Sequence, residues 1–453
     1  MRARSAKTII GALAAISISL TAGGCAKGAQ SNANTNTSDG ALLYGTDGNM
    51  ANSFGDSFKD SAPGMLAGMK GTVPLTPLTE DFKRRLKGVD PGLTDFNYSA
   101  ESYDAVVVAG LAAETARSVD PANIAKQLIG VTTGDTECDT LAVCLTYAKT
   151  GKRIRYKGIS LQRSGFTQTG EPSTAMYGVV TFGRDNLLED AKTEYVSAGD
   201  EKTESKTPPP AVISPKSNHN STPLKIGILL PKTGGLSFQG PPMFAAVKLA
   251  VKELNEAGGV LNQPVALEEG DDGTSPDVAG ATVDRFIGLG VHVIIGAAAS
   301  GVSKAVLPKV VAAGKVMISP SATSDELSTL DDKGLFFRTS PPDVLQAKAL
   351  TDIIMRGGHQ RVAVVARDDS YGKGLAGNVQ ANLGVAGIKP SDIKVTLYPA
   401  KDTYDPKVDT DGIFKPIAKD LKGFQPDAVL LIGFDESAFV IKAMVADGVK
   451  IRS

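Results

Sequence analysis

Four short loops of this sequence carry residues able to hold a small charged solute. "GAAASG" sets Ser300 at the head of a helix, where free backbone N–H groups and a hydroxyl suit a carboxylate. "SPSAT" sets Ser321 and Thr323 behind the next strand, "DDSYGKG" offers Tyr371, and "GFDESAF" offers Glu436. Asp343 in "SPPD" is a further carboxylate, and Leu236 and Phe238 in "TGGLSFQG" are candidates for lining an apolar pocket. Each has a plainer reading. Ser and Thr cap helices and shape turns everywhere, Glu436 suits a first helical turn with Asp435 as its cap, and Phe238 suits loop packing.

Signals of catalysis are missing from the sequence. There is no GxxxxGK[ST], no HExxH and no GxSxG, and "GAAASG" has the wrong spacing for a nucleophile elbow. His219, His292 and His359 fall in a polar linker, a strand and a helix–strand turn, none beside a nucleophile. The pairs Asp271–Asp272 and Asp368–Asp369 read as turn and cap residues rather than an acid/base dyad. An enzyme is therefore not expected, and no metal or cofactor site is read.

The elements that position these loops follow a strict alternation. From Pro223, "LKIGILLP" is a continuous apolar run, the mark of a strand buried on both faces of a parallel sheet. Helical and strand patterns then alternate through "VHVIIGAAAS", "VMISPSAT", "RVAVVARDD", "DIKVTLYPA" and "DAVLLIGFD". Short turns separate them, as in a doubly wound α/β layer. A second series starts near Arg338 to Asp343, so two lobes are expected. The last helical stretch, Ala438 to Asp447, ends at Gly448, a usual C-cap, and no strand follows in "VKIRS". An αβ unit requires one.

The 453 residues are 42% hydrophobic with net charge −1, enough for a sizeable core and with no long-range attraction for nucleic acid. Arg2, Arg4 and Lys7 precede an apolar run, Thr8 to Leu20, that is too short to span a bilayer. "TAGGC" closes it, and the whole resembles a bacterial lipoprotein signal, residues 1–24, with Cys25 the residue that would carry lipid. Residues 25–40 read as a flexible polar tether, and 189–222 as a disordered linker with a reach of about 30 Å. The remaining pair, Cys138 and Cys144, lacks nearby His for zinc. An exported chain favours a local disulfide contributing about 2–3 kcal/mol.

Residues 223–453 resemble the first two thirds of a type I periplasmic binding protein of the leucine/isoleucine/valine-binding family. The matching words run in order: "KIGILLPKTGG", "AVKELNEAGGV", "DDGTSP", "ISPSATSDEL", "FFRTSPPD", "ARDDSYGKGLA" and "PDAVLLIGFDES". The family's remaining words, "LLYGTDGN", "GMKGTVP", "YDAVVVAGLAAETA" and "IRYKGIS", stand before the linker, in 41–188. The resemblance implies a circularly permuted, two-lobed α/β fold: two doubly wound parallel sheets joined by three crossing strands. One lobe would combine 223–339 with 72–173, the other 340–453 with 41–71 and 174–188, so that the absent strand is Leu42 to Gly45, beside Ala428 to Ile432. A truncated tandem fusion is the rival reading.

The same resemblance implies a membrane-anchored, extracytoplasmic, monomeric lipoprotein that delivers a branched-chain or similar amino acid to ABC transporter permease subunits. Ser300, Ser321 and Thr323 would hold the α-carboxylate and α-ammonium, Tyr371 would supply an aromatic, and Glu436 would counter the ammonium. Alternatives are a ligand-sensing lipoprotein, or a binder of another small polar solute such as an amide or urea.

Overall fold

The computed structural model of the chain describes residues 40–61, 64–209, 211 and 222–452. The expected signal segment, Cys25 and the expected tether up to residue 39 lie outside them. Fourteen strands are labelled in chain order: β1 Leu42–Thr46, β2 Lys70–Pro74, β3 Thr136–Cys138, β4 Ile154–Tyr156, β5 Thr174–Thr181, β6 Glu194–Gly199, β7 Lys225–Leu229, β8 Ala266–Glu269, β9 Val293–Gly296, β10 Val316–Ser319, β11 Phe336–Arg338, β12 Val362–Arg367, β13 Ile393–Tyr398 and β14 Ala428–Ile432.

Lobe 1 is built on a five-stranded parallel sheet, in the order β11-β10-β9-β7-β8. Lobe 2 has seven strands, β13-β12-β14-β1-β2-β5-β6. Its first five are parallel, but β5 and β6 join antiparallel, so this sheet is mixed rather than wholly parallel. The central strands are apolar without alternation because helices cover both faces; all five residues of β14 are buried.

β1 fills the gap left beside β14. The register is Leu42↔Ala428, Leu43↔Val429 and Tyr44↔Leu430, and on its other side Tyr44↔Lys70. After the helix Ser437–Ala446, Gly448 turns the chain at φ +82°, and Ile451 forms a bridge with Ala41. Residues from opposite ends of the sequence therefore share one sheet.

The helix Ser99–Ala116 ties 41–188 to 223–453 in lobe 1. Its sequence, "SAESYDAVVVAGLAAETA", is apolar almost all round, as a helix buried on every side requires. It packs on the helix Gly240–Glu256, where a Cβ at Gly110 would meet the Leu254 side chain at 3.0 Å and require it to shift. The chain passes between lobes after β2, before β5, after β6 and after β11.

The expectation of a disordered linker from residue 189 is corrected for its first half. Residues 194–199 form β6, paired with β5 from Thr174↔Gly199 to Val179↔Glu194. An edge strand needs few apolar residues: Val196 and Ala198 pack near Tyr177 and Leu345, while the other face meets solvent. Beyond it the chain returns to lobe 1, where Glu204 pairs with Arg155 at 2.7 Å and accepts from the Gly165 N–H at 2.9 Å. Residues 212–221 lie outside the described residues. Cys138 and Cys144 form a disulfide with Cα atoms 5.3 Å apart, joining β3 to the helix Leu141–Lys149.

Candidate functional site

The lobe 1 wall of the cleft is made where β9 and β10 end. β9 runs into Ala297–Ala299, and the helix Ser300–Ala312 starts at once, leaving its first N–H groups without helical partners. Ser300 Oγ accepts from the Thr323 and Ser324 N–H groups, both at 3.1 Å, lashing the two loops together. Ser321 Oγ donates to the Ala298 carbonyl at 3.1 Å, and Ser319 Oγ to that of Ala297 at 2.6 Å. Behind them the buried Asp272 accepts from the Ala298 and Thr274 N–H groups, while burial pushes its carboxyl up to about 7. The Thr323 hydroxyl is buried with no partner among the described residues.

The lobe 2 wall centres on Asp47, at the end of β1. Its Oδ2 accepts from Tyr98 Oη at 2.7 Å and its Oδ1 from Gln346 Nε2 at 2.7 Å. Tyr371 Oη lies 2.9 Å from the same Oδ1 and 2.7 Å from Thr46 Oγ1. Burial raises the Asp47 pKa, opposed by these three hydrogen bonds. Phe434, beyond β14, stacks on Tyr371 with centroids 5.8 Å apart. The loops after β1 and β14 touch so closely that a Cβ at Gly48 would fall 2.4 Å from the Gly433 carbonyl oxygen. Tyr98 reaches Asp47 from lobe 1, and Gln239 Nε2 of lobe 1 donates to the Asp47 carbonyl at 2.8 Å. Tyr98 holds a left-handed backbone, φ 59°, uncommon for a bulky residue and of the kind found where structure fixes a functional group.

These walls enclose a cavity of about 10 Å³, lined by Asp47, Leu236, Ser300, Ser321, Thr323 and Tyr371 among others. That is room for one water, so the cleft is shut. A groove of about 580 Å³ lies on lobe 1 among Lys126, Pro209 and Phe336, but it lacks the converging buried polar groups that mark the cleft.

Five residues named from sequence, Leu236, Ser300, Ser321, Thr323 and Tyr371, thus line one cavity. Three others do not. Glu436 lies outside this cavity: its Oε1 accepts from Arg367 Nη1 at 2.7 Å and Tyr398 Oη at 2.9 Å. Glu436 thus spends its carboxylate on Arg367 and Tyr398, and the carboxylate that lines the cavity is Asp47. Asp343 is fully buried behind Thr323, whose carbonyl accepts its N–H at 2.8 Å. Neither of its carboxylate oxygens has a partner among the described residues, and burial, then Asp47 and Asp325, push its pKa well up. Phe238 packs at the edge of the lobe 1 core, while Leu236 lines the cavity. Asp47, Tyr98, Gln239 and Gln346 were not named from sequence. "YGTDG" carried the signal for Asp47: an acid at the end of a buried strand that neighbours β14.

Two α/β lobes thus meet over converged, buried polar groups. A sequence profile described as periplasmic binding protein matches residues 223–452, and the chain belongs to that family. Among curated relatives, the Leu/Ile/Val-binding protein BraC3 of Rhizobium johnstonii is 32% identical over 168 residues, 36% of this chain and 45% of its own length. The leucine-, isoleucine-, valine-, threonine-, and alanine-binding protein of Pseudomonas aeruginosa is 30% identical over 167 residues, 37% of this chain and 44% of its own. The matched region thus spans less than half the length of these relatives. Among solved structures, the Streptococcus pneumoniae branched-chain amino acid transporter substrate-binding protein LivJ, in complex with isoleucine, aligns at TM-score 0.41 and 23% identity, over 51% of this chain and 63% of that one.

Proposed function

We propose that this chain is an extracytoplasmic solute-binding lipoprotein that clamps an amino acid between its lobes and hands it to the permease of an ABC importer. The observation that carries the reading is the pairing of opposite chemistries across the cleft. Lobe 1 presents helix N–H groups with the Ser300, Ser321 and Thr323 hydroxyls, suited to an α-carboxylate. Lobe 2 presents the Asp47 carboxylate, held by three side-chain donors and suited to an α-ammonium. Once closure removes water, both charges of a zwitterion need such partners. The names of the relatives support a branched-chain solute as the first candidate. Lipid at Cys25 would keep the protein at the membrane.

The chain order is read as a circular permutation, with 223–452 forming the first part of the ancestral order and 41–209 the last. The support is β1, which lies between β14 and β2, and Ile451, which bridges to Ala41. Permutation is tolerated where termini lie close together at exposed loops. A thermal-shift screen against the amino acids tests the function: a ligand present at a hundred times Kd adds about 2.7 kcal/mol and raises the unfolding temperature. No shift with any amino acid would overturn the reading.

A further inference from the structure

The loop that carries Thr323 to the cavity is held from behind by chain that crosses between the lobes. The Ala322 carbonyl accepts from Arg338 Nη1 at 3.2 Å and from Ser340 Oγ at 3.0 Å. The Thr323 carbonyl accepts from the Asp343 N–H at 2.8 Å, and the Ser324 carbonyl from Arg338 Nη1 at 2.9 Å. The Thr323 and Ser324 N–H groups go instead to Ser300 Oγ. Three consecutive carbonyls are thus held by residues 338–343, which leave β11 in lobe 1 and enter the helix Asp343–Arg356 in lobe 2.

Arg338 is the centre of this contact, and its side chain is 1% exposed. A guanidinium so buried needs its charge countered and its N–H donors filled. Glu171, 13% exposed, counters it: Oε2 accepts from Arg338 Nε at 3.0 Å and from Nη2 at 2.6 Å. Ser328 Oγ accepts from Nη2 as well and donates to Glu171 Oε2 at 2.8 Å. Glu171 stands just before β5, on a second crossing between the lobes, where the Gly170 carbonyl accepts the Arg338 N–H at 3.0 Å. Two crossings, from opposite segments of the chain, are therefore tied to each other and, through Arg338, to a wall of the cavity. Crossings are where backbone torsions change as lobes open and close. Arg338, Glu171 and Ser328 do not themselves line the cavity.

We propose that Arg338 is a positioning residue for the solute, anchored by Glu171, which sets the Thr323 loop and couples it to the two crossings. The proposal rests on Ser300, Ser321 and Thr323 being the solute's partners in lobe 1. Removing the Glu171 charge leaves a buried cation short of its counter-ion and loosens the donor shared by the Ala322 and Ser324 carbonyls. Every group that touches the solute stays in place in the sequence.

Glu171→Gln and Ser328→Ala are the test, beside Glu253→Gln, which breaks an ion pair with Arg85 that has no member in the cavity wall. The probes are leucine, isoleucine and valine, titrated calorimetrically well below each unfolding midpoint. Glu171→Gln is expected to weaken binding about tenfold, equivalent to about 1.4 kcal/mol, and Ser328→Ala about threefold. Glu253→Gln is expected to bind like the parent even where its midpoint falls as far. Amide exchange over residues 321–328 without solute is expected to quicken in Glu171→Gln and Ser328→Ala but not in Glu253→Gln. Parent affinity in both Glu171→Gln and Ser328→Ala, or an equal loss in Glu253→Gln, would overturn the assignment; should Glu171→Gln not fold, Ser328→Ala decides. A parent that binds none of the three probes would count against the amino-acid reading alone. The exchange measurement would then decide the coupling, and unchanged exchange in the Glu171 and Ser328 variants would overturn it.

Discussion

Replacing Asp47 by Asn separates binding from folding. The substitution keeps the size of the side chain and one acceptor oxygen but removes the negative charge that three donors surround. Removing one member of a buried, hydrogen-bonded charge pair costs about 2–5 kcal/mol. Affinity for the amino acid should therefore fall about 30-fold to several thousand-fold. Stability should move the other way or not at all. Burial raises the Asp47 pKa above its unfolded value, so the native state holds this proton more tightly than the unfolded chain. Such an acid makes the free protein lose stability as pH rises from the unfolded pKa, about 3.9, through the folded one. Asn carries no such penalty at neutral pH. The assay is calorimetric titration of both proteins beside thermal unfolding without ligand. Wild-type affinity in the Asn variant would remove Asp47 from the site, and a large loss of unfolding temperature would show that it serves the fold instead.

Three further outcomes are expected. Glu436→Ala strips the buried Arg367 of one partner while Asp369 remains, so denaturant unfolding should show a loss of about 3 kcal/mol; an unchanged midpoint would contradict the pairing. Glu101, buried in the helix Ser99–Ala116, has its pKa pushed up to about 8 from 4.5, so its presence costs stability increasingly between those values. Glu101→Gln should match the parent near pH 5 and exceed it at pH 8, the gap widening by roughly 1.4 kcal/mol with each step of one in pH; equal curves at both pH values would refute this. Reduction of Cys138–Cys144 should lower stability by about 2–3 kcal/mol without changing ligand affinity, read by unfolding and titration with and without reductant.

Much of the fold was legible because its strands are buried on both faces. "LKIGILLP" and "DAVLLIGFD" leave little choice but central parallel strands, and the helix that ends at Gly448 pointed to a strand elsewhere in the chain. β6 was not legible: as an edge strand with a solvated face, "EYVSAG" has the composition of a linker. In the site, Ser300, Ser321 and Thr323 were readable because helix starts and strand ends advertise themselves in sequence. Glu436 carries the same signal, since a first-turn carboxylate looks alike whether it faces a ligand or an arginine. Asp47 was hidden because its three donors come from residues 98, 346 and 371, and only the folded chain brings these to residue 47.

The central claim, that both segments build one two-lobed protein with a single amino-acid site, is tested most directly by reordering the chain. A protein with residues 223–452 placed before 41–209 retains every strand of both sheets, including β6. Calorimetric titration of the reordered and native chains with the same amino acid should give one site per molecule and affinities within about threefold, less than 1 kcal/mol. A reordered chain that folds but does not bind, while the native order does, would contradict the account.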